Sequence, residues 1–439
     1  MSNAKRPRPR LSSTSARRAL ARIAGVMLAL GVSAGVARGD EGPAPTAGAS
    51  GVQGEGATGA APDPLTGTFR WTYPFELPAA RGVSRSLGLS YGSSSTDGEG
   101  GYGWHLDIPR IERAPLSAWP EYVDDGTVER EDRYAFDGAP LVFICVSGDA
   151  DCVESASNGF GLLKAEAMPT WAAGWRYYRL QDDHSFSRFF LSPDRLTWRV
   201  QWKGGDVWEL GRPLARADLG TGDGIDYAAL DDTPAGPPKA HRWSLVRQYD
   251  LHGVGGEPVN LVAYRWAYLG NRSLRYLTDV FDTPPAASAG SAPLDAFAHH
   301  AQLTWSPAPS QHTTYAPMNR ARPDLVLTHV GVSAAAWSTP AGPREVIRAY
   351  HLRYRDPRSL AAYDPLQQSP LWGHEFLREI QEETRCGTPE SGGAIPTTLA
   401  CATLEPTRFR YETGELWTGI TRGPAPMPGR SGSPAAVPR

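Results

Sequence analysis

Lysine is almost missing from this chain of 439 residues: only Lys5, Lys164, Lys203 and Lys239 occur, so nearly all of the 44 basic residues are arginine. The bias reads as the imprint of a GC-rich genome and not as a nucleic-acid signature. Eight basic residues and no acidic one fall within residues 1–39, which leaves 36 basic against 47 acidic residues, a net of −11. An acidic body argues against a phosphate-backbone partner, which needs a basic surface. Cysteine is scarce at four, and neither natural pair has the tight spacing of a structural zinc site. Helical patterns of useful length are rare; His374 to Glu383 reads as a helix by propensity and equally as a strand. Beyond residue 37 no apolar run is long enough to cross a bilayer.

What the chain does contain begins with a leader. A basic stretch precedes the apolar run Ile23 to Ala37, and small residues follow it before Asp40. This is the pattern of a secretory signal, too short for a comfortable membrane span. Residues 1–39 are therefore expected to be removed, with general secretion fitting better than a twin-arginine route through Arg17-Arg18. The product is expected to be secreted, periplasmic or extracellular, with no membrane span after signal removal. Residues 40–64 are Gly/Ala/Pro-rich and read as a flexible linker, and residues 413–439 as a tail that cannot form a core. Export suits disulfides. Cys145 and Cys152 flank Ser147-Gly148-Asp149, and Cys386 and Cys401 bracket a Gly/Pro/Ser-rich loop, so local pairing is preferred among the three possible connectivities.

Between the ends, residues 65–412 read as strand after strand. Thr68 to Tyr73, Trp198 to Trp202 and Tyr350 to Tyr354 alternate, which places one set of side chains on a buried face. Turn signals separate such runs at Asp97-Gly98, Asp137-Gly138, Lys203-Gly204-Gly205 and Gly253 to Gly256. The expected fold is all-β, a large antiparallel multi-stranded sheet assembly of shell-like or sandwich-like form with few helices. Proline-rich stretches at 233–239, 283–293 and 389–396 read as surface loops.

The stretch Gly67 to Arg113 is the most informative. Pro74-Phe75-Glu76-Leu77-Pro78 leads to Arg81-Gly82, then Leu87 to Tyr91, a glycine-rich turn, Gly101-Tyr102-Gly103-Trp104 and Ile111-Glu112-Arg113. Asp132 to Gly138 with Leu141-Val142, Trp198 to Gly211, Trp243 to Tyr264, Tyr350 to Tyr354, Leu377 to Gly387 and Pro406 to Tyr411 follow in order. This succession resembles the Salmonella virulence-plasmid B protein family, shared with the B component of insecticidal toxin complexes, over nearly all of residues 65–412. Gly82-Val83-Ser84-Arg85 departs from that family's more usual Gly-Leu-x-Pro. The resemblance implies a secreted or toxin-associated β module that in toxin-complex relatives helps to build a shell around a toxic polypeptide. It implies protein partners of the repeat-containing shell or toxin-complex kind; the acidic body leaves no nucleic acid expected, no cofactor is expected, and the chain is read as not an enzyme.

Sharper site readings compete with that one. Glu129-Arg130-Glu131 spells a transferase E-x-E, but in a charged run that is normally a solvated loop. His299-His300 would point to opposite faces of a strand, and His374-Glu375 lacks a second histidine. Asp223, Asp226, Asp231 and Asp232 could hold calcium, though their spacing matches no standard loop. Trp71, Tyr73, Trp175, Tyr177, Tyr178, Trp198, Trp202 and Trp208 could form a sugar platform, yet strand aromatics are usually sheet core. No catalytic, cofactor or metal residue is therefore assigned, and the four cysteines are the site residues named. The alternative function is an exported carbohydrate-binding or glycoside-acting β protein. A docking role further predicts an uncovered edge or apolar patch around Phe69, Trp71, Tyr73, Phe409 and Tyr411.

Overall fold

The computed structural model describes residues 67–411 except 84, 115–121, 123–131, 150–151, 155–165, 215–222, 228–238, 255–256, 270–273, 287–290, 309–313, 317–318, 322–323, 337–341, 356–373, 386, 399–400 and 410. Its first strand, β1 (Arg70–Pro74), half-buries Trp71 and Tyr73 and exposes Arg70, Thr72 and Pro74, as its alternation requires. β1 pairs with β2 (Gly88–Gly92), which pairs with β3 (Trp104–Leu106), giving a three-stranded antiparallel sheet.

A closed barrel follows. β4 (Arg110–Ala114), β5 (Arg133–Phe136), β6 (Ala139–Val146), β7 (Arg176–Leu180), β8 (Arg188–Leu191), β9 (Thr197–Gln201) and β10 (Val207–Gly211) each pair antiparallel with the next. The β5–β6 hairpin turns through Asp137 and Gly138, both at positive φ (45° and 83°), the conformation that matches strand twist in two-residue turns. After the short β11 (Ile225–Tyr227), β12 (Ala240–Tyr249) closes the ring, with Trp243 opposite Ile111 of β4 and Tyr249 opposite Val207 of β10. Eight strands enclose a space that side chains can fill. Here aromatics fill it: the Trp198 ring lies 5.1 Å from both Tyr134 and Tyr178, and Tyr134 lies 5.7 Å from Trp243. Arg113 is buried among them, bound to Asp132 at 3.0 Å, its guanidinium 5.5 Å from the Tyr134 ring.

β12 belongs to two sheets. Its residues Arg247–Tyr249 also pair with β13 (Leu261–Tyr268). From there an open antiparallel sheet runs in chain order through β14 (Arg275–Asp282), β15 (His299–Pro307), β16 (Leu325–Ala335), β17 (Arg344–Arg355), β18 (Phe376–Glu383) and β19 (Thr407–Arg408). The stretch read as helix or strand, 374–383, is thus a strand. The β1–β3 sheet packs on this open sheet through Tyr73 against Tyr350 at 6.1 Å and Trp104 against Phe409 at 4.9 Å. The architecture is all-β and antiparallel, as the alternation and turn spacing indicate. Among the described residues no helix is long and apolar enough to cross a membrane.

Two expectations need correction. Of the aromatic residues expected on an uncovered edge, Trp71, Tyr73, Phe409 and Tyr411 lie in the contact between the sheets, and Phe69 lies against a neighbour in its own sheet. Trp71 packs 5.5 Å from Phe409, Phe69 packs 5.9 Å from Tyr91, and the Tyr411 hydroxyl donates to the Leu377 carbonyl at 2.8 Å. The reason is that the last strand folds back over the first, so both termini of the fold cover each other. The segment 389–396 is not a simple surface loop either: Ile395 is buried, and the Glu390 carboxylate is drawn down to an arginine on β17.

Candidate functional site

The segment between β1 and β2, residues 75–87, crosses the end of the open sheet as a strap. Arg81 fastens it: Nε donates to Asn260 Oδ1 at 2.9 Å, Nη2 to the Pro284 carbonyl at 2.7 Å, and its backbone N–H to Thr283 Oγ1 at 3.1 Å. Gly82 follows at φ 73°, so close to β13 that a Cβ would fall 2.2 Å from Asn260 Nδ2. Asn260 Nδ2 itself donates to Asp250 Oδ2 at 2.7 Å. Arg81-Gly82 and Asp250, far apart in the chain, therefore meet at one joint. The Arg85 guanidinium forms a buried ion pair with Asp282. Asp282 Oδ1 also receives a hydrogen bond from His299 at 2.6 Å.

Next along the same sheet lies a denser cluster. His300, fully enclosed and stacked on Phe281 at 4.2 Å, donates from Nε2 to Asp279 Oδ1 at 2.9 Å and from Nδ1 to Glu390 Oε1 at 3.2 Å. Arg344 grips both oxygens of Glu390 at 2.7 Å, and the Ser333 hydroxyl donates to Oε2 at 2.6 Å. Burial alone would raise the Glu390 carboxyl, but the bonds from Arg344, His300 and Ser333 hold it far below the usual carboxylate range. Burial opposes charge on His300, and its two carboxylate partners outweigh that and raise its pKa above the ordinary value. Asp279 is likewise held low against its burial by His300 and Thr278. Two carboxylates thus flank one imidazole. Each of these side chains is hydrogen-bonded to another of the cluster.

The remaining sequence candidates are accounted for in the same terms. His299 and His300 do take separate partners. Asp226 is bound to Arg242 at 2.5 Å and Asp223 to Arg275 at 2.6 Å, so these two carboxylates are paired with cations of the chain itself; Asp231 and Asp232 lie outside the described residues. Glu129 and Glu131 also lie outside them. His374 bonds Asp97 at 2.7 Å. Among the described residues no group of three His, Cys, Asp or Glu side chains is arranged to hold a metal ion. The aromatic candidates for a sugar platform pack against other rings: Trp175 edge-on to Trp171 at 5.6 Å, Tyr177 stacked on Phe190 at 5.1 Å, and Trp202 against Trp208 at 4.8 Å. A small pocket where barrel and open sheet meet is lined by Glu99, Arg110, Arg242, Trp266, Arg275 and Trp305. Its arginines are matched, Arg110 by Glu112 at 2.9 Å and the other two as above.

Cys145 and Cys152 are bonded, with Cα atoms 5.5 Å apart. Cys401 is disulfide-bonded; Cys386, its expected partner, lies outside the described residues. Sequence reasoning missed Arg344, Glu390 and His329. Only the isolated acid within a proline-rich stretch hinted at Glu390, and nothing local marked the other two.

Comparison with known proteins agrees with the N-terminal motif. The profile of the Salmonella virulence plasmid 65kDa B protein family matches residues 63–159. No curated protein sequence matches the chain. Among solved structures, the N-terminal domain of effector protein SpvB from Salmonella typhimurium strain LT2 is similar at 16% identity and TM-score 0.49, over 72% of this chain and 98% of that one. The crystal structure of TcdB2-TccC3-Cdc42 is similar at 15% identity and TM-score 0.49, over 78% of this chain, which spans only 16% of that chain's length. The Photorhabdus luminescens Tc holotoxin pore gives 15% identity and TM-score 0.48 over the same shares. Through residues 63–159, where the strap and its arginines lie, this chain matches the Salmonella virulence plasmid 65kDa B protein family.

Proposed function

We propose that the chain is a non-catalytic structural module of an exported toxin-complex or virulence-type assembly, with a shell-type repeat protein as partner. The observation that carries this reading is the family match over residues 63–159, the stretch whose Arg81 and Arg85 tie the strap to the open sheet. The polar chemistry supports it: the buried acids, arginines and histidines of the strap and of the Glu390 cluster neutralise one another, which orders a scaffold and leaves no poised acid or base. The exposed apolar side chains lie elsewhere than expected. Phe186 and Leu251 are 60% and 75% exposed. Both adjoin the Lys203–Gly205 turn at one end of the barrel, with the Lys203 ammonium 5.3 Å from the Phe186 ring. We assign contact with a partner to that end.

The test is reconstitution. The exported chain is mixed with purified repeat-containing shell protein encoded beside its gene, and the product is sized by light scattering. A stoichiometric complex that Phe186→Asp with Leu251→Asp abolishes is expected. A chain that stays monomeric beside that protein while hydrolysing or binding defined oligosaccharides would replace this reading with the carbohydrate one.

A further inference from the structure

His329, on β16, is 3% exposed, and neither of its ring nitrogens has a hydrogen-bond partner among the described residues. A buried imidazole left unmatched at both nitrogens is unusual, because each lost water contact normally finds a replacement. Its cross-strand neighbour on β17 is His351, with ring centroids 4.9 Å apart. His351 Nε2 donates to Glu383 Oε2 on β18 at 2.5 Å, and Glu383 Oε1 accepts from the Cys401 N–H at 2.9 Å. Three residues on three adjacent strands thus form a row that ends on the returning chain.

That row lies beneath residues 387–398 and 401–403. Ile395 and the His329 ring converge on Gly331, where a methyl group would fall 2.3 Å from Ile395 Cγ2 and 3.0 Å from His329 Cε1. The segment is tied down on either side: Ile395 N–H donates to Gln302 Oε1 at 2.8 Å, and Thr403 bridges to Glu383. The charged groups acting on His329 are His351 and Glu383. Its β15 neighbour, Thr304, is uncharged, and Glu390 of the covering segment is committed to Arg344 and His300.

We propose that His329, His351 and Glu383 form an acid-operated catch, which holds residues 395–398 and 401–403 on the sheet at neutral pH and releases them when His329 takes up a proton. The neutral ring is tolerated under Ile395. The imidazolium has two N–H donors and no acceptor, since the nearest carboxylate already serves His351 and Cys401. Only water can satisfy it, and water enters by lifting Ile395 off Gly331. Burial, with the neighbouring His351, places that protonation near pH 4, below the ordinary histidine range. The Arg344–Glu390 anchor survives at that pH, because its carboxyl is held lower still. Opening is therefore confined to the distal half of the segment.

Hydrogen exchange on the full chain at pH 7 and pH 4, corrected for intrinsic rates, tests this. The amides of Ile395, Cys401 and Leu404 are expected to lose at least tenfold protection at pH 4, while those of Val346 and Glu390 hold. In His329→Phe the acid-induced change should shrink to within about twofold. Unchanged protection in the natural chain, uniform loss across both halves, or equal opening in His329→Phe each overturn the proposal. Should that variant not fold, the histidine C2-proton titration of the natural chain decides: a buried histidine titrating in step with opening supports the catch, and opening without one overturns it.

Discussion

The barrel and the open sheet share a strand yet are held together differently. In the barrel, large flat rings fill a closed volume, and the indole N–H groups of Trp198, Trp202 and Trp208 are buried without a partner among the described residues, while that of Trp243 donates to the Arg195 carbonyl at 3.1 Å. Around the open sheet three indoles are satisfied. Trp104 donates to the Tyr411 hydroxyl at 2.8 Å, Trp266 to the Leu245 carbonyl at 2.8 Å and Trp305 to the Leu277 carbonyl at 2.9 Å. Its face also carries the arginine–carboxylate–imidazole clusters. A closed ring selects for shape, whereas an open face crossed by strap and returning chain selects for directional bonds that fix where those segments land.

Substitutions can sharpen that contrast. Trp198→Ala, at the barrel centre, should cost about 4 kcal/mol, because transfer energy and cavity add. Urea unfolding would read it as a lowered midpoint with unchanged slope. A loss under 1 kcal/mol would mean the barrel does not depend on its filling. Arg344→Met on the open sheet should cost about 3 kcal/mol by stranding the Glu390 charge, and adding Glu390→Leu should recover part of that. A double variant worse than the single would contradict the charge-pair account.

Acid should act mainly on the open sheet. His329 has a folded pKa of about 4 against 6.5 for the free side chain, so the unfolded chain binds more protons between those values and stability falls as pH drops through them. The loss is on the order of 3 kcal/mol. Glu390, held low, contributes stability that is present above its ordinary pKa and lost as pH falls further. Melting temperature recorded from pH 7 to pH 4 should therefore decline in the natural chain and decline less in His329→Phe. Removing the Cys145–Cys152 bridge by double serine substitution should cost about 2 kcal/mol, given its short loop. Smallest of all, Arg385→Ala breaks an exposed pair with Glu345 and should stay within about 0.5 kcal/mol.

Local signals carried much of this architecture. Alternation at Trp71 and Tyr73 and at Trp198 to Trp202 marked strands correctly, and Asp137-Gly138 marked its hairpin. The ring closure was not legible, because the pairing of Trp243 with Ile111 joins residues more than a hundred positions apart without any periodic trace. The coverage of Trp71 by Phe409 was hidden for the same reason. Arg81-Gly82 could be singled out as a motif, but its role waits on Asn260 and Asp250, which only the fold brings near. His329 looks like any strand histidine until Ile395 closes over it.

The shared strand β12 has a consequence for synthesis. Until residue 249 has left the ribosome, β4 and β10 are the two raw edges of an unclosed seven-strand ribbon, each offering unpaired backbone groups to any other strand nearby. The strand that removes this hazard is the same one that founds the second sheet, so a nascent chain cannot finish its first half without beginning its second. Truncation between residues 211 and 240 should leave an aggregating fragment and not a free-standing domain.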